Sequence, residues 1–247
     1  MASASYGIDA PGVVRNLALA SLGAGLLFLF GRHHLPKPLP EAAALTCLIC
    51  FAEALAMLWT SLAGKRIAAR MLVDCASLDG GERVLDVGCG RGLLVIEAAR
   101  RLGHGGAVGL DLWNAQDLSG NRAAATQANV DLEGLTDRVA LICGNALAMP
   151  FPDDSFDAVI SSLCLHNLYQ ADERRRAVRE IARVLKPGGR AVVQDFRHTA
   201  EYATVLRQSG LTVEARRLVR PWLMFPPTWR VVARKPDRPA PSAKVSP

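Results

Sequence analysis

Hydrophobic and polar positions follow two unlike rhythms along this chain, and the change falls near Glu82. Before it lie two long apolar runs. The second, Ala42 to Ala63, holds a single charge, Glu53, and is long enough for a membrane span of about 20 residues. Trp59 near its end, followed by Lys65, Arg66 and Arg70, reads as an interfacial aromatic and a cytoplasmic anchor. The first, Leu17 to Phe30, is shorter, carries Gly23 and Gly25, and falls in the length range of interfacial or re-entrant helices. Between them Gly31 to Pro40, with Pro36, Pro38 and Pro40, ends one helix and starts another, so the pattern predicts a helical hairpin. Arg15 and the lack of a small-residue cleavage site in GRHHLPKPLP argue against a removed leader. Three placements stay open: a hairpin that spans a membrane, one that lies in its interface, or a pair of helices packed as a lid on the remainder of the chain. Glu53 is a rim residue in the lid and a functional candidate in the membrane.

After Glu82 short β-type runs alternate with helical stretches, the order of βαβ units. The runs predict strands over Arg83 to Val87, Ala107 to Asp111, Val139 to Cys143, Phe156 to Ser161, Arg190 to Asp195, Thr212 to Leu218 and Thr228 to Ala233. Helices are expected over Leu93 to Leu102, Leu118 to Asn129, Ala171 to Leu185 and Thr199 to Ser209. Near-continuous apolar strands such as AVISS and AVVQ suit a parallel sheet covered on both faces. The last two strands lack a helix between them and are expected as an antiparallel pair at the sheet edge. The predicted fold class is α/β, a seven-stranded, mostly parallel sheet with helices on both faces, preceded by two apolar helices. The expected organisation is an N-terminal segment 1–12, a hairpin 13–65, a linker helix 66–75, a catalytic domain 76–235 and a disordered Pro-rich tail 236–247.

Composition narrows the setting. Of 247 residues 21% are charged and 50% hydrophobic, and the mean hydropathy of +0.17 is raised by the two apolar runs. The net charge of +6 would suit an anionic surface, but no cluster of Lys and Arg interleaved with aromatics supports nucleic-acid binding. Cys47, Cys50, Cys75, Cys89, Cys143 and Cys164 lie mostly inside apolar runs, which speaks for a reducing compartment. Cys47 and Cys50 form a C-x-x-C without a second pair or a histidine at ligand spacing, so they read as small buried hydrophobes on a helix, and no metal site is expected.

The chemistry centres on VLDVGCGRGLL, Val84 to Leu94: a strand, then Gly88, Gly90 and Gly92, then a helix. Glycines let the turn bend sharply and let a ligand press on bare backbone. The third glycine comes one residue sooner than in a dinucleotide fingerprint, and Asp86 lies two residues before the first. Neither is expected of a pyrophosphate cradle. The run resembles the D-x-G-x-G-x-G of class I S-adenosylmethionine (SAM)-dependent methyltransferases, with their Rossmann-like domain, and of the methyltransferase type 11 group that includes quinone- and lipid-modifying enzymes. Three further stretches carry the resemblance: AVGLD ending at Asp111, GNALAMPFPDDSFDAVISS from Gly144 to Ser162, and REIARVLKPGGRAVVQDF from Arg179 to Phe196.

The resemblance implies SAM as cofactor, held by Asp86, Gly88, Cys89, Gly90, Asp111, Leu112, Asn145, Ala146 and Ser162. Asp111 would accept hydrogen bonds from the ribose hydroxyls and Leu112 would lie against adenine. The family usually has Asp where Asn145 stands, and an amide carbonyl is a weaker acceptor than a carboxylate. It also implies that SSLCLHNLYQ, after the fourth strand, presents groups towards the transferred methyl. That makes His166 the candidate general base or positioning donor, with Asp195 and His198 second in rank. The tetrapeptide of amino-directed enzymes, Asn or Asp then two prolines and an aromatic, is absent.

The expected activity is methyl transfer to a small lipophilic, membrane-resident acceptor, with the catalytic domain on the cytoplasmic face. A soluble small-molecule methyltransferase with a helical lid, and a non-catalytic SAM-binding module in a membrane assembly, are the alternatives. A homo-oligomer fits any of the three.

Overall fold

The computed structural model describes residues 4–114, 118 and 120–238. Residues 1–3 of the N-terminal segment, Ser119 in the expected fifth helix and 239–247 of the expected tail lie outside the described residues.

Two antiparallel helices come first, α1 (Pro11–Gly31) and α2 (Leu39–Trp59). Both are long and apolar enough to cross a membrane, with mean hydropathies of 1.8 and 2.0, and only 6% and 11% of their apolar stretches are buried. The first run is longer than its uncharged part suggested. Pro11, suited to a first helical turn, starts α1 six residues before Leu17 and brings Arg15 and Asn16 into the helix, so α1 reaches 21 residues. The seam between α1 and α2 holds the C-x-x-C: Ser21 Oγ donates to Cys47 O at 3.0 Å, and Cys47 Sγ packs beside Gly25. All six cysteines are reduced thiols.

The linker is not separate from the hairpin. α2 passes through a single wide π turn, Thr60–Gly64, directly into α3 (Lys65–Asp74), forming one rod from Leu39 to Asp74.

Beyond it lie β1 (Arg83–Val87), α4 (Leu93–Ala99), β2 (Gly106–Asp111), α5 (Ala123–Leu132), β3 (Val139–Cys143), β4 (Phe156–Ser162), α6 (Ala171–Val184), β5 (Leu185–Asp195), α7 (Thr199–Gln208), β6 (Thr212–Leu218) and β7 (Trp229–Arg234). They build a seven-stranded sheet in the order β3-β2-β1-β4-β5-β7-β6. Strands β1 to β5 are parallel, whereas β7 runs antiparallel between β5 and the edge strand β6. One core, including Leu85, Phe156, Ile181 and Tyr202, lies under α6 and α7. The other, including Leu72, Val95, Ile96 and Val192, lies under α3 and α4. Because the chain order reverses between β1 and β4, a crevice opens beyond their carboxyl ends, where sheets of this kind bind ligands.

Element limits shift where side chains alone mislead. The fifth helix starts at Ala123, not Leu118, because Gly120 at φ +64° and a turn from Asn121 N–H to Leu118 O precede it. Residues 186–189, left between the helix expected to end at Leu185 and the strand expected from Arg190, lie within β5, which pairs from Leu185 opposite Phe156 through a register shift.

Candidate functional site

Strand β1 delivers Asp86 and then breaks into the glycine turn, with φ of +77°, +52° and +89° at Gly88, Gly90 and Gly92. Those conformations explain the glycines, and at Gly88 bare backbone also makes room for protein. A Cβ there would stand 2.1 Å from Cys164 Sγ, in the segment after β4. The turn is tied to β2, whose Leu110 carbonyl accepts the N–H groups of Gly88 and Cys89 at 2.8 and 3.2 Å.

Asp111, at the end of β2, braces the same turn. Its Oδ2 accepts Gly90 N–H at 2.7 Å and its Oδ1 accepts Trp113 N–H at 2.6 Å. Gly90 O in turn accepts from Thr126 Oγ1 at 2.6 Å and Trp113 Nε1 at 3.0 Å. Sequence reasoning missed Trp113 and Thr126, since nothing in their spacing marks them.

A cavity of about 790 Å³ opens against this turn, and Asp86, Gly88, Cys89, Gly90, Asp111, Leu112, Asn145, Ala146, Ser162 and His166 all line it. Asp86 is 1% exposed; its Oδ2 accepts Val95 N–H at 3.0 Å, while Oδ1 is buried without a hydrogen-bond partner. Burial pushes its carboxyl well above the usual range, and the nearby Asp111 charge adds to this. Burial likewise raises the Cys89 thiol, with Asp86 contributing, so Cys89 stays a protonated wall group. Asn145 Oδ1 already accepts Leu147 N–H at 2.9 Å, which occupies one of its two lone pairs. An orphaned buried carboxylate oxygen, a second carboxylate and an open glycine turn fit a cationic, hydroxyl-bearing cofactor.

Towards the other end, His166 comes after β4 in a short 3₁₀ turn, Leu165–Asn167. Its Nδ1 lies 2.9 Å from Asp195 Oδ1, its backbone N–H donates to Asp195 Oδ2 at 3.1 Å, and its ring packs on Phe196 at 4.5 Å between centroids. Asp195 is wholly buried. Two candidates from different strands thus meet. His198 does not join them: it caps α7, 3.8 Å from Glu201, outside the cavity lining.

The cavity is closed by the two N-terminal helices, as the lid placement expected, and by the β6–β7 loop and an N-terminal strap, which sequence did not connect to it. Leu17 of α1, Glu53 and Met57 of α2, and Met224 and Phe225 of the β6–β7 loop form its largely apolar wall. A strap containing Tyr6 and Asp9 covers the side near the glycine turn, held by Lys65, whose Nζ donates to Tyr6 O, Gly7 O and Asp9 Oδ1 at 2.9, 2.8 and 3.0 Å. Lys65, expected at a membrane surface as part of the basic anchor, is buried inside the protein instead. Arg66 and Arg70 remain exposed.

Residues 85–193 match a family described as a methyltransferase domain. The ubiquinone/menaquinone biosynthesis C-methyltransferase UbiE of Pectobacterium carotovorum subsp. carotovorum is 37% identical over 131 residues, which are 53% of this chain and 49% of that protein. The Vibrio campbellii protein of the same name is 36% identical over 131 residues, 53% of this chain and 48% of its own length. The chain spans about half the length of the curated relatives it matches. Among solved structures, the 4+2 cyclase SpnF superposes with a TM-score of 0.60 at 24% identity, covering 70% of this chain and 81% of that one. Geranyl diphosphate methyltransferase in complex with SAM does so with a TM-score of 0.56 at 17% identity, covering 69% and 85%. Identities this low carry the fold alone, and a cyclase among them shows that the fold does not choose the reaction.

Proposed function

We propose that this chain, which carries a class I SAM-dependent methyltransferase domain with S-adenosylmethionine as its cofactor, methylates a small lipophilic acceptor that reaches the site from a membrane. The observation that carries the reading is one continuous cavity. Asp86, Gly90 and Asp111 lie along one part of it, and apolar side chains of two lipid-length helices along another. The relatives' names point to quinone-type rings as the acceptor class. The bound cofactor supplies a methyl group already activated by its sulfonium.

The protein's share is to orient, to exclude water and to manage one proton. Asp111 and the turn it braces hold the cofactor; His166, oriented by Asp195 and Phe196, takes the proton of the attacking group; Leu17, Met57, Met224 and Phe225 keep the acceptor's surroundings dry. Glu53 is the one charged side chain in the apolar run of α2, and its place on the cavity wall suits a hydrogen-bond donor on the acceptor. The exposure of the two helices favours a membrane setting over a lid on a soluble enzyme, where such faces would be covered.

The test is methyl transfer from tritiated SAM to a total membrane lipid extract, with the full chain in lipid nanodiscs. Label in the organic phase supports the reading, and Asp111→Ala should remove it, with SAM affinity falling about 10- to 100-fold as charge-assisted hydrogen bonds worth about 1.5–3 kcal/mol are lost. Label confined to water-soluble acceptors would support the soluble-enzyme alternative. Tight SAM binding without turnover would support a binding module.

Asp86 adds a pH signature. Its raised pKa keeps the carboxyl protonated over a wider range in the free protein, while a cationic ligand favours the carboxylate, so binding releases a proton. SAM affinity should therefore fall as pH drops below that raised pKa, by up to tenfold per pH unit. Calorimetry in buffers of differing ionisation enthalpy measures the proton, and Asp86→Asn should abolish it. Proton release unchanged in Asp86→Asn would assign it elsewhere.

A further inference from the structure

The β6–β7 loop, residues 219–228, does more than close the cavity. Its inner side is clamped to the rod of α2 and α3. Phe225 N–H donates to Thr60 Oγ1 at 2.7 Å, and a Cβ on Gly64 would stand 1.8 Å from Leu223 O, so loop and helix backbones touch at Gly64. Val219, Leu223 and Met224 pack on Ala68 in a small cluster of their own. The outer side is the reverse. Trp222 is 67% exposed, and its carbonyl accepts the indole N–H of Trp59, itself 50% exposed, at 2.8 Å. Leu62, one turn on from Trp59, is also exposed, and the exposed Arg220 guanidinium lies 6.0 Å from the Trp222 ring centroid.

A large indole held outwards by a buried, hydrogen-bonded loop gains nothing from water. Trp59 ends α2, where a membrane-spanning helix would meet the head groups, and Trp222 is fastened to it. Indoles are favoured at that level because their ring is apolar and their N–H polar, and a guanidinium beside them meets lipid phosphate.

We propose that the β6–β7 loop is a second membrane contact, in which Trp222 enters the bilayer interface beside Trp59 and Arg220 faces anionic head groups. It rests on the membrane reading above and deepens it: the loop that supplies Met224 and Phe225 to the cavity wall would be held at the lipid surface, so the acceptor need not cross water. The chemistry names an anionic lipid surface as the occupant.

Depth-dependent quenching tests it. The full chain, Trp222→Phe and Trp59→Phe are placed in vesicles of phosphatidylcholine and phosphatidylglycerol, and emission is compared with lipids brominated near the head group and with aqueous iodide. The emission lost in Trp222→Phe is expected to be quenched at least twofold by the bromolipid and shielded from iodide. Iodide quenching without bromolipid quenching, while the Trp59 emission responds to bromolipid, overturns the loop assignment alone. Failure of both indoles to respond to bromolipid overturns the membrane reading as well. A Trp222 emission shielded from both quenchers, with a doubled mass in detergent, would give the patch to a second copy of the chain and also overturn the proposal.

Discussion

His166→Ala is expected to lower turnover with the lipophilic acceptor by about 10²- to 10⁴-fold, the range for loss of a positioned general base, while SAM affinity changes less than threefold. The separation arises from where the residue stands. His166 lines the cavity on the segment after β4, whereas the carboxylates assigned to the cofactor belong to β1 and β2. Asp195 Oδ1 stands 2.9 Å from Nδ1, within ion-pair distance but without hydrogen-bond alignment, and Asp195 Oδ2 accepts the His166 backbone N–H at 3.1 Å, so the carboxylate fixes where the ring stands. Asp195→Asn should then cost kcat more than KM, which a merely structural partner would not do. An unchanged kcat in His166→Ala, with the protein folded and SAM bound, removes the histidine from the mechanism and leaves proximity as the main source of rate.

Gly88→Ala is expected to unfold the glycine turn and abolish SAM binding. The substitution meets two costs at once. A residue with a side chain is strained by about 1–2 kcal/mol at the observed φ of +77°. Its Cβ would also overlap Cys164 Sγ at 2.1 Å and Cys164 Cβ at 2.4 Å, and overpacking of that kind costs about 1–3 kcal/mol. Together about 2–5 kcal/mol corresponds to a loss of roughly 4–20 °C in thermal midpoint for a chain of this size. Pairing Gly88→Ala with Cys164→Gly should recover the overlap share and part of the SAM affinity, leaving the strain. A single variant with the parental midpoint would show that the segment after β4 moves freely away from the turn.

The sheet was legible because parallel strands buried on both faces write themselves as short apolar runs. The run at Arg83–Val87 has the same limits as β1, and Val139–Cys143 and Thr212–Leu218 match the edge strands β3 and β6 as closely, although those are only partly covered and β6 is antiparallel. The cofactor end was legible for a related reason: a sharp turn needs glycine, and a carboxylate at a strand end shows in sequence. What sequence hid depends on contacts between distant segments. Nothing local tells that Lys65 turns inwards to three acceptors on residues 6 to 9, that Asp195 meets His166 across 29 positions, or that residues 224–226 join Glu53 on one wall. Length misled at α1, where a charge and an amide near the start concealed a helix that simply continues through them.

The π turn at Thr60–Gly64 sets the rotational phase between the apolar rod and the domain. A π turn spends about one residue more than an α turn on the same rotation, so tightening these five positions into regular α-helix without changing their number would rotate one helix against the other by about 100°, with a shift of about 1.5 Å along the axis. Trp59 would then swing off the Trp222 carbonyl, and Glu53 and Met57 would turn off the cavity they line. Small changes at these five positions are thus a way in which related chains with the same cofactor turn and the same hairpin could present different faces of α2 to an acceptor.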